Sequence, residues 1–185
     1  MMRRPNLSIK ARHRRHRSSG PFLAVVAGAL FASQVALPAA AGEVVAFASE
    51  AVPGTVIVMT GERRLYLVLD GDRAVRYAVG VGRPGRQWFG TVFIEGMYLR
   101  PNWSPPAEIR NDQPNLPDVI PGGSPSNPMG EAALTLSGGD YAIHGTNAPG
   151  SIGGFVSYGC IRMHNDDVRD LYQRVGIGTP VVVMR

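Results

Sequence analysis

From residue 55 to its end, the chain is a series of short runs of β-branched and aromatic residues, most of them closed off by glycine within a few positions. That rhythm leaves little room for helices. The runs at 55–60 (TVIVMT), 64–69 (RLYLVL) and 76–81 (RYAVGV) read as strands, with Asp70-Gly71-Asp72 as the turn joining the last two. Residues 90–99 add one or two strands, 132–136 and 141–144 flank a turn at 137–140, and 179–184 form a closing strand. Helical spacing occurs once. An Asn or Asp cap at 165–167 precedes Val168, Leu171, Tyr172 and Val175, and Gly176 stops the helix. Six to eight strands and one short α-helix predict a mainly β domain, a sandwich or a partly open barrel.

Three segments fall outside this pattern. Residues 42–53 are small, apolar and end in proline, and read as a short linker. Residues 101–130 hold eight prolines among Asn, Ser and Gly, with no sustained apolar period, as a functional loop or lid does. Trp103 within it either stacks on a substrate or pins the loop to the core. The run Gly80-Val81-Gly82-Arg83-Pro84-Gly85 matches a dinucleotide-binding fingerprint, but that motif needs a helix opening at the third glycine. Here a further turn and a strand follow, so the run reads as a glycine-rich loop between strands.

The first forty residues belong to targeting. Seven basic residues and no acid occupy positions 1–19, an apolar run of sixteen follows at 22–37, and Pro38 leads into Ala39-Ala40-Ala41-Gly42. This is the order of a secretory signal peptide, 1–41, with cleavage after Ala41. The alternative is an uncleaved anchor, for which the run is short. Export to the periplasm or cell envelope also changes the charge reading. The leader carries seven of the nineteen basic residues, so the remaining 144 residues hold 12 basic against 14 acidic, a net charge of −2. The basic character lies in the leader and not in a surface for nucleic acid. A single cysteine in an oxidising compartment has no internal disulfide partner, and is either an inert buried thiol or a reactive one.

The chemistry concentrates in residues 141–167. They hold that one cysteine, Cys160, and the only histidines beyond the first twenty residues, His144 and His164. A thiol gains nucleophilicity by forming a thiolate–imidazolium pair with a nearby imidazole. Gly159 before it lets backbone N–H groups approach a developing oxyanion. If 160–164 run extended, residues 160, 162 and 164 share a side. Arg162 then lies beside the thiol, able to hold a substrate carboxylate, unless it pairs with Asp166 or Asp167. In that geometry His164 rivals His144 as the base; otherwise it is a solvated residue at a helix start.

His144-Gly145-Thr146 followed by Ser157-Tyr158-Gly159-Cys160-Ile161-Arg162 resembles the signature of the L,D-transpeptidase catalytic domain, the YkuD-like family. The likeness extends over residues 54–184 and implies a catalytic domain at 54–185 with a β-sandwich-like fold and little helix. It implies Cys160 as nucleophile, His144 as general base, the Gly145 carbonyl orienting the imidazole, and the Gly159 and Cys160 amides as oxyanion hole. Ser157, Tyr158, Arg162, Thr146 and Trp103 are the expected substrate contacts. Many members carry His where this chain has Tyr158. His164 matches no motif position, which favours its solvated role. The implied reaction is acyl transfer on peptidoglycan stem peptides, without metal or cofactor, from a tetrapeptide stem to an amine. That amine belongs to another stem, an envelope protein or a D-amino acid. Hydrolysis with water as acceptor is the alternative, and a non-catalytic wall-binding module is the alternative of another class.

Overall fold

The computed structural model describes residues 41–185. Apart from Ala41, the expected leader and its alternative as an anchor lie outside the described residues. Ten strands are found among these residues: β1 (Glu43–Ala46), β2 (Val56–Met59), β3 (Arg64–Leu69), β4 (Arg73–Gly82), β5 (Gly90–Leu99), β6 (Ala132–Leu136), β7 (Ala142–His144), β8 (Phe155–Ser157), β9 (Ile161–Met163) and β10 (Pro180–Met184). Helices α1 (Ala107–Asp112) and α2 (Asn165–Arg174) complete the fold, with a 3-10 turn at Pro149–Ser151.

Two long strands join two sheets. The first half of β4 pairs antiparallel with β3 and β1, while Val79 and Gly80 farther along pair with Met163 and Arg162 of β9. Residues 90–93 of β5 pair with β10, and its second half pairs with β6 across an irregularity between Ile94 and Gly96. One sheet therefore runs β1-β4-β3-β2-β10-β5, the other β5-β6-β7-β9-β4. This is a sandwich whose two layers share strands β4 and β5, within the predicted class. Val56, Val58, Leu65, Leu67 and Tyr77 from the first sheet bury against Leu134, Ile143, Ile161 and Met163 from the second. Helix α2 lies against β6 and β7 and inserts Val168 and Leu171 into this core.

Several local expectations are corrected. Part of the expected linker at 42–53 is the edge strand β1, and beyond it Phe47 stacks on Tyr66 at 4.4 Å over the outer face of the first sheet. That cover is why β2 and β3 are buried on both faces and read as continuous apolar runs. Strands β8 and β9 have three residues each, too short to show a period, and α1 is a second α-helix inside the proline-rich segment. The glycine-rich stretch ends β4 and turns into β5 with no helix, in keeping with the rejection of the dinucleotide motif.

Candidate active site

His144 is the last residue of β7 and Arg162 the middle of β9. These strands are adjacent and parallel, with Ile143 opposite Ile161 and His144 opposite Arg162. Cys160, the residue before β9, thereby lies beside Ala142 at the start of β7, and the two-residue period of a strand puts it on the same face of the sheet as His144 and Arg162. Cys160, His144, Arg162, Ser157, Tyr158 and Trp103 all line one cavity of about 470 Å³. His164 does not. It is exposed at the start of α2 and faces a separate recess beside Gly42.

The imidazole is buried, 2% exposed, and its Nδ1 lies 2.7 Å from the Gly145 carbonyl oxygen. A carbonyl only accepts, so Nδ1 carries the proton and Nε2 keeps its lone pair. Burial, reinforced by the charge of Arg162, pushes the His144 pKa down to about 4. Burial also pushes the Cys160 thiol up, against the opposing pull of the Ala142 backbone and Arg162. The resting pair is therefore a neutral thiol and a neutral imidazole. Burial thus works against the thiolate–imidazolium pair expected from the residue types, since the low-dielectric setting penalises each charge taken singly. An unprotonated imidazole is nonetheless the form a general base requires.

Arg162 forms no ion pair with Asp166 or Asp167, and its buried Nε has no hydrogen-bond partner among the described residues. Burial lowers its pKa and proximity to Cys160 raises it. It is a cation held in the cavity wall without a carboxylate.

The turn before Cys160 is tightly specified. Ser157 Oγ donates to the Cys160 carbonyl at 2.6 Å and accepts from the Gly159 N–H at 3.1 Å. The Gly159 amide, expected to face an oxyanion, is thus engaged within its own turn, and Ser157 is a buried tie as much as a wall residue. Gly159 has φ 129°, and a Cβ there would overlap the Tyr141 ring. Tyr141 stacks on Trp88 at 5.0 Å, and Trp88 Nε1 donates to the Gly159 carbonyl at 2.9 Å. Neither aromatic was expected at the site; the only signal in the chain was that Trp88 is one of two tryptophans.

The loop after His144 has its own clamp. The Asn165 side chain accepts from the Thr146 and Glu131 amides at 3.0 and 3.2 Å and donates to the Thr146 carbonyl at 3.0 Å. Asn165 was expected to cap α2, but His164 occupies the cap position. Thr146, expected to touch substrate, is 3% exposed and its Oγ accepts from the Ala148 amide at 3.0 Å, so its role is internal.

The proline-rich segment forms the facing wall. Trp103 and Ile120 exchange backbone hydrogen bonds of 2.9 and 2.8 Å. Buried Asn127 donates to the carbonyls of Pro101, Ile120 and Pro121 and accepts from the Met129 amide. Trp103 therefore both lines the cavity and helps close its own loop. Helix α1 is joined to the nucleophile side by Tyr158, whose hydroxyl donates to Asp112 at 2.5 Å while Arg83 lies 4.0 Å over its ring. Arg83 also reaches Asp112 at 3.3 Å, and Arg86 pairs with Glu108.

Known proteins share this arrangement of chain. Residues 53–183 match the model of the L,D-transpeptidase catalytic domain, YkuD. The chain is 38% identical over 138 residues to the probable L,D-transpeptidase ErfK/SrfK of Escherichia coli, covering 70% of this chain and 43% of that protein. It is 36% identical over 143 residues to the putative L,D-transpeptidase YqjB of Bacillus subtilis, covering 71% and 72%. The chain thus spans less than half the length of the Escherichia coli relative. Among solved structures, an L,D-transpeptidase from Mycobacterium smegmatis aligns with TM-score 0.57 at 19% identity, over 71% of this chain and 58% of that one. The catalytic domain of the E. faecium enzyme, acylated by ertapenem, aligns with TM-score 0.55 at 17% identity, over 74% and 100%. These two establish a shared fold, and the match over 53–183 establishes the lineage: this chain belongs to the L,D-transpeptidase catalytic domain family.

Proposed function

We propose that this chain is a cysteine acyltransferase acting on peptidoglycan stem peptides. The observation that carries the reading is the parallel β7–β9 pairing, which sets an unprotonated imidazole and a thiol in one cavity beside an unpaired guanidinium. In the first step Cys160 Sγ attacks the carbonyl of the third, diamino acid residue of a tetrapeptide stem while His144 Nε2 takes the thiol proton. The C–N bond to the terminal D-alanine breaks, its nitrogen receives the proton back from His144, and a thioester remains. In the second step an amine attacks the thioester, His144 removes its proton, and the thiol is restored. The Cys160 amide, at the mouth of the Ser157 turn, is the backbone donor proposed for the oxyanion, with Gly159 free to contribute only if Ser157 Oγ releases it. Arg162 holds a donor carboxylate. Trp103 and Tyr158 form the walls.

The proposed setting is the cell envelope, reached by a leader removed after Ala41. The acceptor amine belongs to a second stem, an envelope protein or a D-amino acid. The acylated E. faecium domain supports a further expectation, that carbapenems acylate Cys160. The deciding test is incubation of the protein with purified disaccharide-tetrapeptide and mass spectrometry of the products. A cross-linked dimer with loss of one D-alanine is the expected result. Tripeptide alone would show water to be the acceptor, and unchanged substrate would refute the assignment.

A further inference from the structure

Gly42 occupies a position whose chemistry changes when the bond before it is cut. Its backbone N–H donates to Asp167 Oδ1 at 3.2 Å, across 125 positions of sequence. Gly42 has φ 71°, and a Cβ there would lie only 2.5 Å from the Val75 side chain and 2.6 Å from that of Tyr77. Only glycine fits this seat, so the nitrogen is placed by the fold and not by chance contact of a loose end.

The receiving carboxylate lacks a counter-charge. Asp167 lies in the first turn of α2 beside Asp166, with Asp170 one turn on. Burial pushes its carboxyl above the ordinary range, Asp166 and Asp170 add to this, and the Gly42 N–H and His164 pull the other way. Arg76, which lines the same recess, is engaged with Glu43 at 2.6 Å, and Arg174 is engaged with Asp170 at 2.9 Å. Tyr77, the other group at this recess, donates its hydroxyl to Asp170.

We propose that removal of the leader supplies the missing cation: the α-ammonium created on Gly42 pairs with Asp167 in the seat already formed. The proposal rests on cleavage after Ala41. Hydrolysis adds water across the Ala41–Gly42 bond, leaving a carboxylate on Ala41 and an ammonium on Gly42. A single N–H donor becomes a charged group with three. The positive end of the α2 dipole opposes a cation here, but Asp166, Asp167 and Asp170 together outweigh it. The effect reaches the active site because α2 begins at Asn165, whose side chain clamps Thr146 and Glu131 next to His144. Processing thus completes the anchor of the helix that holds the loop carrying the base.

Asp167→Asn keeps an oxygen to accept from Gly42 and removes only the charge. Thermal unfolding of wild type and variant is compared in two forms, the chain matured by export and the full chain with its leader uncut. Mass spectrometry reads the first residue of each. The variant should lower Tm by roughly 3 °C or more in the matured form, and by less than about 1 °C in the uncut form. A second readout uses the fact that Lys10 is the sole lysine of the chain, so the Gly42 amine is the only primary amine after maturation. Pairing should slow its acylation by an activated ester about tenfold in wild type relative to Asp167→Asn. Equal Tm losses in the two forms, or equal amine reactivity, overturn the ion pair. A matured chain beginning anywhere other than Gly42 overturns the proposal through the leader reading instead, and the measured mass separates these failures.

Discussion

At the residue scale the site is two neutral groups and one cation. Cys160→Ala should abolish turnover and carbapenem labelling with little loss of stability, since the thiol is small and stands at a cavity wall; an adduct on any other residue would displace Cys160 from its role. His144→Ala should cost at least ~10²-fold in acylation rate, whereas exposed His164→Ala should stay within a few fold. The pH dependence follows from burial. With the His144 pKa down at about 4, the base is free at neutral pH, and the acid limb of acylation should fall near pH 4 instead of near 6.5. Arg162 contributes to that depression, so Arg162→Gln should move the limb upward. A limb that stays in place would mean that burial alone sets it. Stability carries the same signature. Between pH 6.5 and 4 the unfolded chain binds a proton at His144 that the folded chain does not. Stability therefore falls as pH falls through this window, by on the order of 3 kcal/mol, and His144→Gln should flatten the loss in urea titrations.

At the element scale, the proline-rich segment is a braced wall with one clamped helix. Asn127 and the Trp103–Ile120 pair fix its base, while α1 is held from outside by Tyr158, Arg83 and Arg86. Exposed ion pairs of this kind are weak individually and let an element move. Combining Asp112→Asn with Tyr158→Phe should release α1, admit water to the thioester and raise the ratio of tripeptide to cross-linked dimer several-fold, with carbapenem acylation slowed only modestly. If acylation and transfer fall together, this wall binds the donor and does not shield the intermediate.

For the whole molecule, catalytic geometry and core packing are one problem. Ile143 and Ile161 are 0% and 1% exposed, face each other across the β7–β9 pair, and stand next to His144 and Cys160. Either residue changed to Ala should destabilise by about 2–5 kcal/mol in urea unfolding. It should also slow acylation beyond what the lost stability explains, because the strands it packs carry the base and the thiol. Acylation at the wild-type rate in the folded fraction would show that the loops alone hold the pair.

The amino-acid order by itself determined the mainly β class, strands β2 to β7 and β10, and helix α2, through β-branched runs, bounding turn residues and helical spacing. It also displayed the lone thiol and two candidate histidines, His144 and His164, since residue types are visible without coordinates. Strands β1, β8 and β9 and helix α1 were decided by the tertiary structure, being short and lacking the bounding turn and apolar run that marked β2 and β7. That His144 and not His164 lines the cavity with Cys160 follows from the parallel register, which no local stretch displays. Freedom of Arg162 from its neighbouring aspartates, the stacking of Tyr141 on Trp88 behind Gly159, and the lowered pKa of His144 all depend on burial and on distances set by the fold. Those are properties of the closed sandwich and of no local stretch of chain.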